Sequence, residues 1–146
     1  MPSWLPWRSE PPLPQLTVRP IVRSLASLGR NESPLLVENV GEVAADNVVV
    51  EMRVRDTTYE FDCIDKLAPR SAAPLTAHGH TGRFIFQDIA VSVNWFRAEF
   101  RGAVASDGKD LRVPLAIRYR DAQGVERSAF QVLHCDEQLR LSVTDD

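Results

Sequence analysis

The residues best suited to chemistry in this 146-residue chain are three histidines and two cysteines. His78 and His80 stand two positions apart in an Ala-His-Gly-His segment, and His134 directly precedes Cys135. Two imidazoles from an extended segment and a third ligand from a later strand would suit Zn²⁺. The same residues also fit a polar loop, so we predict no metal and keep a small metal-dependent enzyme as the alternative.

The cysteines allow two further kinds of chemistry. A thiol beside a histidine can act as a nucleophile, and Cys63 can form a disulfide with Cys135 only if their strands are neighbours. Cys63 follows Tyr59 and Phe61 at alternate positions, which favours a small buried hydrophobe over a reactive thiol. We therefore predict no catalytic residue, and we leave open whether the two cysteines pair.

Other catalytic signatures are missing from the sequence. It has no glycine-rich phosphate loop, no Gly-x-Ser-x-Gly and no His-Glu-x-x-His. The carboxylate pairs Asp62 with Asp65 and Asp107 with Asp110 fit solvated strand ends and turns. The chain is therefore predicted not to be an enzyme.

The composition predicts one packed domain that does not bind nucleic acid. Hydrophobic residues make up 44% of the chain and charged residues 25%, as is typical of a folded protein. The net charge is −3 and the basic residues are scattered, whereas phosphate binding needs a concentrated positive face.

The first residues predict a soluble, cytoplasmic protein. The stretch "MPSWLPWRSEPPLP" is interrupted by proline too often to be a secretory signal, and no window is apolar enough for a transmembrane helix. The alternative is a domain that follows an upstream membrane anchor, because aromatic and basic residues such as those in "WLPWR" flank membrane spans.

Residues 1–14 are predicted to form a proline-rich extended arm, and residues 15–146 the β-sandwich domain. Proline fixes φ and lacks an N–H, which excludes a helix interior or a central strand. Trp4 and Trp7 in the arm are costly to expose, so we expect them to dock on a partner or on the domain. The alternative for the arm is a tether or a disordered end.

Alternation of apolar and polar residues predicts strands from Leu16 onward. The predicted strands cover residues 16–24, 35–40, 47–55, 57–64, 83–93, 94–102, 111–120, 125–135 and 138–143. Pro20 makes the first of them an edge strand or a strand that switches sheets. Residues 66–82 are predicted to be a long connection, and residues 121–124 the turn of a hairpin.

These strands predict the fold class. No window of eleven or more residues has helical periodicity, and parallel sheets would need crossover helices. The sequence therefore predicts an all-β fold, an antiparallel immunoglobulin-like β-sandwich of seven to nine strands, with a small barrel as the alternative.

Two short patterns carry a family resemblance. In the first, a strand ends in Asn-x-Gly and is followed by small residues and a Val-rich strand; in the second, Tyr, Asp and Gly follow one another through a strand and a turn. The residues that match are Asn39, Gly41, Ala45, residues 48–50, Tyr119, Asp121 and Gly124. Together they resemble bacterial immunoglobulin-like domains of the CARDB-like type.

The resemblance covers about residues 16–135 and implies an immunoglobulin-like fold. Domains of this type act mostly as spacers, adhesion modules or partner-binding modules, so it implies no catalytic residue. Asn39 and Gly41 suit a turn that needs either left-handed backbone or a side-chain amide.

Arginine and tryptophan side chains on two predicted strands form the candidate binding surface. If residues 94–102 pair with residues 111–120, their outward side chains lie side by side, and both types are frequent in binding hot spots. With the arm, the candidate partner-binding residues are Trp4, Trp7, Trp95, Arg97, Arg101, Arg112, Arg118 and Arg120. The alternatives are arginines that merely cover a solvated sheet face, and a partner added at an edge strand.

The sequence as a whole predicts a non-catalytic protein-interaction or assembly module that binds a protein partner or a second copy of itself. No cofactor and no metal are predicted. The alternatives are the metal-dependent enzyme built on the histidines and a purely structural spacer.

Overall fold

The structure is a computed structural model that describes residues 12–21, 23–25, 34–54, 57–76, 80–81, 84–85, 100–106 and 110–145. Its strands are β1 (Leu16–Pro20), β2 (Leu35–Asn39), β3 (Ala45–Val54), β4 (Thr57–Glu60), β5 (Ile64–Leu67), β6 (Ser71–Pro74), β7 (His80–Thr81), β8 (Phe84–Ile85), β9 (Leu111–Arg120), β10 (Glu126–Cys135) and β11 (Leu141–Asp145). Residues 100–106 are helical.

Nine of the strands in the described residues form two antiparallel sheets that pack together. The first sheet has the order β1-β2-β6, and the second the order β11-β10-β9-β3-β4, with β5 also paired to β3. Strands β7 and β8 form a separate two-stranded pair. The predicted all-β sandwich is confirmed, and the number of strands lies in the predicted range.

The core lies between the sheets and follows from the alternation of side chains. Every second residue of β3 is buried from Val48 to Val54, and every second residue of β9 from Leu111 to Tyr119. Leu35 and Val37 of β2, in the first sheet, belong to the same buried cluster. Because a strand directs successive side chains to opposite faces, each of these strands buries one side and leaves the other for solvent or partners.

The first strand behaves as Pro20 predicts. β1 is the edge strand of the first sheet, and from Arg23 the chain pairs instead with the second sheet. There the Leu25 N–H donates to the Leu139 carbonyl at 2.8 Å. The Leu141 N–H in turn donates to the Arg23 carbonyl at 3.0 Å. The start of the domain therefore joins the two sheets at one edge.

Asn39 organises the turn between β2 and β3 through its side-chain amide. Its Oδ1 accepts from the Gly41 N–H at 3.0 Å, and its Nδ2 donates to the Val43 carbonyl at 2.7 Å and the Leu67 carbonyl at 3.2 Å. A Cβ on Gly41 would lie 2.9 Å from the Gln15 nitrogen. The side-chain amide accounts for Asn39, whereas Gly41 is required by a close backbone approach and not by left-handed backbone.

Two predictions between residues 57 and 82 are wrong. The continuous strand 57–64 is divided into β4 and β5, because residues 61–63 leave the strand conformation. The period-two alternation ends there, so Phe61 is buried but Cys63 is exposed, contrary to the prediction. The connection 66–82 also contains β6, which pairs with β2 although it is built mainly of small residues.

The strand predicted for residues 94–102 is wrong in the part that the structure describes. Residues 100–106 form a helix that buries Phe100, Ala103 and Val104, at helical spacing, and exposes Arg101. The spacing of apolar residues around Phe100 fits a period of two as well as one of 3.6, which is why the prediction failed. The remainder of the predicted strands 83–93 and 94–102 lies outside the described residues, except for β8.

The membrane predictions concern chain segments that the structure describes only in part. No helix among the described residues is long and apolar enough to cross a membrane. Residues 1–11 of the predicted arm lie outside the described residues, whereas Pro14 is buried at the entry to β1.

Candidate partner-binding face

The second sheet has one side on the core and one side turned away from it. We call the latter, over β3, β9 and β10, the outer face. It is formed by Val49, Glu51, Arg53, Arg112, Pro114, Ala116, Arg118, Arg120, Glu126, Ser128, Phe130, Val132 and His134.

An apolar block lies at the centre of the outer face. Phe130 is directly opposite Ala116, and Val132, which is only 5% exposed, is directly opposite Pro114. Phe130 is 58% exposed, more than any other large hydrophobic residue in the described part of the chain. Single exposed hydrophobic residues are common, but an aromatic side chain within an apolar block is the usual centre of an interface.

A pocket of about 280 Å³ opens beside this block. Its walls include Phe130, Ala116 and Pro114 on one side and Arg53 and Thr58 on the other. An aromatic side chain that is exposed beside a pocket presents more apolar area than one on a flat sheet. The outer face is therefore concave beside Phe130.

Pro114 lines the pocket at the point where the pairing of β3 with β9 ends. The register of β3 with β9 runs as far as Met52 opposite Leu115 and ends there, whereas the pairing of β9 with β10 continues through Pro114. Proline has no N–H to donate to a neighbouring strand. The pairing of β3 with β9 therefore stops next to Pro114, and the pocket lies at this point.

A charged rim surrounds the apolar block. Arg118 Nη2 lies 2.8 Å from Glu51 Oε1 and 3.4 Å from Glu60 Oε2. The three side chains are 31–50% exposed, so these ion pairs contribute little to folding stability. Arg118 Nε is buried and has no hydrogen-bond acceptor among the described residues. Two carboxylates therefore hold the guanidinium through Nη2, whereas its buried Nε makes no hydrogen bond.

The far end of the hairpin that carries the outer face is held by Asp121. Its Oδ1 accepts from the Gln123 N–H at 2.9 Å and the Val125 N–H at 3.0 Å, and its Oδ2 from Arg127 Nε at 3.0 Å. Burial alone would raise the pKa of Asp121, but these hydrogen bonds to the charged form outweigh it and lower the pKa. The predicted turn at residues 121–124 is confirmed.

The structure brings together only part of the predicted binding surface. Arg112, Arg118 and Arg120 lie on the outer face of β9, as the alternation predicts. Arg101 is on the helical segment and lines a different pocket, of about 290 Å³, with Val104 and Leu139. The other predicted binding residues lie outside the described residues; they are Trp4, Trp7, Trp95 and Arg97.

Of the three histidines, the structure describes the side chain of His134 alone. His134 Nε2 lies 2.8 Å from Thr144 Oγ1 of the neighbouring strand, and His80 belongs to β7. His78 lies outside the described residues. Within the described ranges no three His, Cys, Asp or Glu side chains are grouped to hold a metal ion.

Both cysteines are free thiols with raised pKa values. Burial, followed by the charges of Asp136 and Asp110, raises the pKa of Cys135 to about 12. Desolvation, followed by the charges of Asp65 and Glu60, raises the pKa of Cys63. Since the thiolate is the reactive form, neither side chain is tuned as a nucleophile.

Phe130 is the residue of this site that the sequence reasoning missed. Phe130 has the same parity along β10 as Ser128 and His134, and that polar parity places it on the side away from the core. Extending the alternation through residues 125–135 would therefore have found it. The sequence contains no comparable signal for the pocket, because the pocket depends on which strand lies beside β9 at Pro114.

Comparison with protein families, with characterised proteins and with solved structures finds no match to this chain. The outer face is accordingly assigned from the residues of the chain itself.

Proposed function

We propose that this chain is a non-catalytic protein-interaction module that binds a protein partner through the outer face. The observation that carries the proposal is Phe130, 58% exposed at the centre of an apolar block and beside a pocket. Folding does not require an aromatic residue at a position that solvent reaches, whereas a partner gains from burying it.

The composition of the outer face matches the anatomy of protein interfaces. Such interfaces have an aromatic or apolar centre and a polar rim, and their hot spots are enriched in aromatic residues and arginine. Here Phe130 and Ala116 form the centre, and Arg118 with its two glutamates forms part of the rim. Burial of Phe130 would contribute about 2 kcal/mol, or roughly 30-fold in Kd.

The family resemblance supports the binding role, and the cysteines bear on the cellular compartment. The resemblance to bacterial immunoglobulin-like domains fits a module that binds or adheres, since such domains mostly serve those roles. The two free cysteines fit a reducing compartment, and we place the module in the cytoplasm.

Affinity capture of the tagged full-length chain from its native cells, followed by mass spectrometry, tests the proposal. The test variant is Phe130→Ser, and the matched control is Val40→Ser, which replaces a residue that is 48% exposed outside the outer face. We expect a stoichiometric partner with the parent chain and with Val40→Ser, and its loss with Phe130→Ser. A partner that Phe130→Ser still retains would overturn the assignment.

A further inference from the structure

We infer that the outer face selects a partner segment in which an apolar residue and a carboxylate stand two positions apart. The apolar residue occupies the pocket beside Phe130, and the carboxylate pairs with Arg112. This inference rests on the proposed function and adds to it the chemistry of the bound segment.

The charges of the outer face differ between the two ends of β9. Towards the Asp121 turn, Arg118 is paired with Glu51 and Glu60. Arg120 lies 4.0 Å from Glu126. The cations at this end are therefore already matched by carboxylates of the same face.

At the opposite end of β9 an exposed cation has no such match. Arg112 is exposed and forms no ion pair with a carboxylate in the part of the chain that the structure describes. Asp110 stands two positions earlier, yet no ion pair joins the two side chains. The residue opposite Arg112 on β10 is His134, which engages the Thr144 hydroxyl. This end of the face thus offers an exposed cation with which an added carboxylate can pair.

The spacing of the bound segment follows from the geometry of β9. Arg112 and Pro114 are two residues apart on the same side of one strand, which is a separation of about 7 Å. An extended segment that runs along β9 has the same repeat, so its side chains at positions i and i+2 meet Pro114 and Arg112. An apolar anchor in the pocket at Pro114 therefore places the residue two positions away beside Arg112.

Nuclear magnetic resonance titration of the ¹⁵N-labelled full chain tests this inference with synthetic peptides. The probes are a threonine-rich heptapeptide with leucine and aspartate two positions apart, the same peptide with lysine in place of aspartate, and the same peptide with serine in place of leucine. The protein variants are Arg112→Glu and, as the matched control, Arg23→Glu, which changes an exposed arginine outside the outer face.

We expect the leucine–aspartate peptide at millimolar concentration to shift the amides of Arg112, Ala116 and Phe130. It should bind roughly fivefold more tightly than the lysine peptide, as an exposed ion pair allows, and Arg112→Glu should remove that preference. Arg23→Glu should leave it unchanged, and the serine peptide should not bind.

Four outcomes would overturn the inference. Equal binding of the aspartate and lysine peptides at the outer face would refute the charge selection and leave the proposed function standing. Shifts confined to another surface, or no shifts with any peptide, would refute the recognition chemistry, while the proposed function is judged separately by the capture experiment. Self-association that Phe130→Ser abolishes would identify the occupant as a second copy of the chain.

Discussion

The two sides of β9 and β10 share one backbone but differ in how far their apolar side chains are buried. On the inner side Leu115, Ile117 and Leu133 are at most 1% exposed and pack into one cluster. On the outer face Phe130 is 58% exposed, although it is larger than any of the three. The inner side is explained completely by folding. The outer face contains apolar area that folding leaves unused, which is why we assign it to binding.

The two turns at the ends of β10 share one hydrogen-bond pattern but differ in the residue that has a positive φ. Asp121 and Asp136 each accept, through Oδ1, the N–H groups two and four residues later. The residue three positions after each aspartate has a positive φ, +77° for Gly124 and +61° for Leu139. Leucine rarely adopts that conformation, but Leu139 is 4% exposed, so its burial offsets the backbone strain.

Truncation on the inner side should have the largest effect on stability. Leu133→Ala removes a fully buried side chain and leaves a cavity between the sheets. We expect the free energy of unfolding to fall by about 3 kcal/mol. Urea denaturation followed by circular dichroism measures the loss, and a change below about 1 kcal/mol would contradict the assignment of this side to the core.

The next largest effect should come from the buried amide of Gln131. Its Oε1 accepts from the Val18 N–H at 2.8 Å, and its Nε2 donates to Thr17 Oγ1 at 2.9 Å, so it joins β10 to the edge strand of the first sheet. Gln131→Ala should lower the free energy of unfolding by about 2 kcal/mol, because it leaves a buried N–H without an acceptor. Ser128→Ala, at an exposed position on the outer face, is the control and should change little.

Acid should weaken the turn that holds the hairpin. Because the folded-state pKa of Asp121 is lowered, its contribution is complete above the unfolded-state value of about 3.9 and is lost as the pH falls through the folded-state value. Asp121→Asn should therefore reduce the fall in unfolding free energy on acidification from pH 5 to pH 2. Glu137→Gln, an exposed change in the second turn, is the control. An unchanged acid slope in Asp121→Asn would contradict the role given to this carboxylate.

The smallest effect on stability should come from the outer face. Phe130→Ser should change the free energy of unfolding by about 0.5 kcal/mol or less, since the side chain is mostly in solvent. Thermal unfolding of the variant beside Leu133→Ala measures the contrast directly. A loss comparable to that of Leu133→Ala would show that Phe130 serves the fold, and the distinction between the two sides would fail.

Much of the fold could be predicted because a long strand shows a clear alternation of apolar and polar residues in the sequence. The alternation along β3 and β9 spans ten residues each, and it placed Val50, Ile117 and the arginines of β9 on the correct sides. Asn39 and Gly41 likewise predicted a turn where the structure has one. These features depend on local sequence alone.

The predictions that failed depend on where an element ends and on its neighbours. Cys63 was assigned to the core because the alternation was continued past Glu60, where β4 ends. Phe100 fits two periods, and packing decides between them. The binding surface was predicted only in part, because Arg118 follows from alternation but the pocket at Pro114 arises from the particular strand that lies beside it.

Site-specific photo-crosslinking in the native cells tests the central claim most directly. A benzophenone amino acid is incorporated at position 130 of the full-length chain and, as the control, at position 40, where Val40 is similarly exposed outside the outer face. Our account predicts an adduct with one specific protein from position 130 and none with that protein from position 40. The absence of any adduct from position 130, or the same adducts from both positions, would contradict the assignment of the outer face as the binding surface.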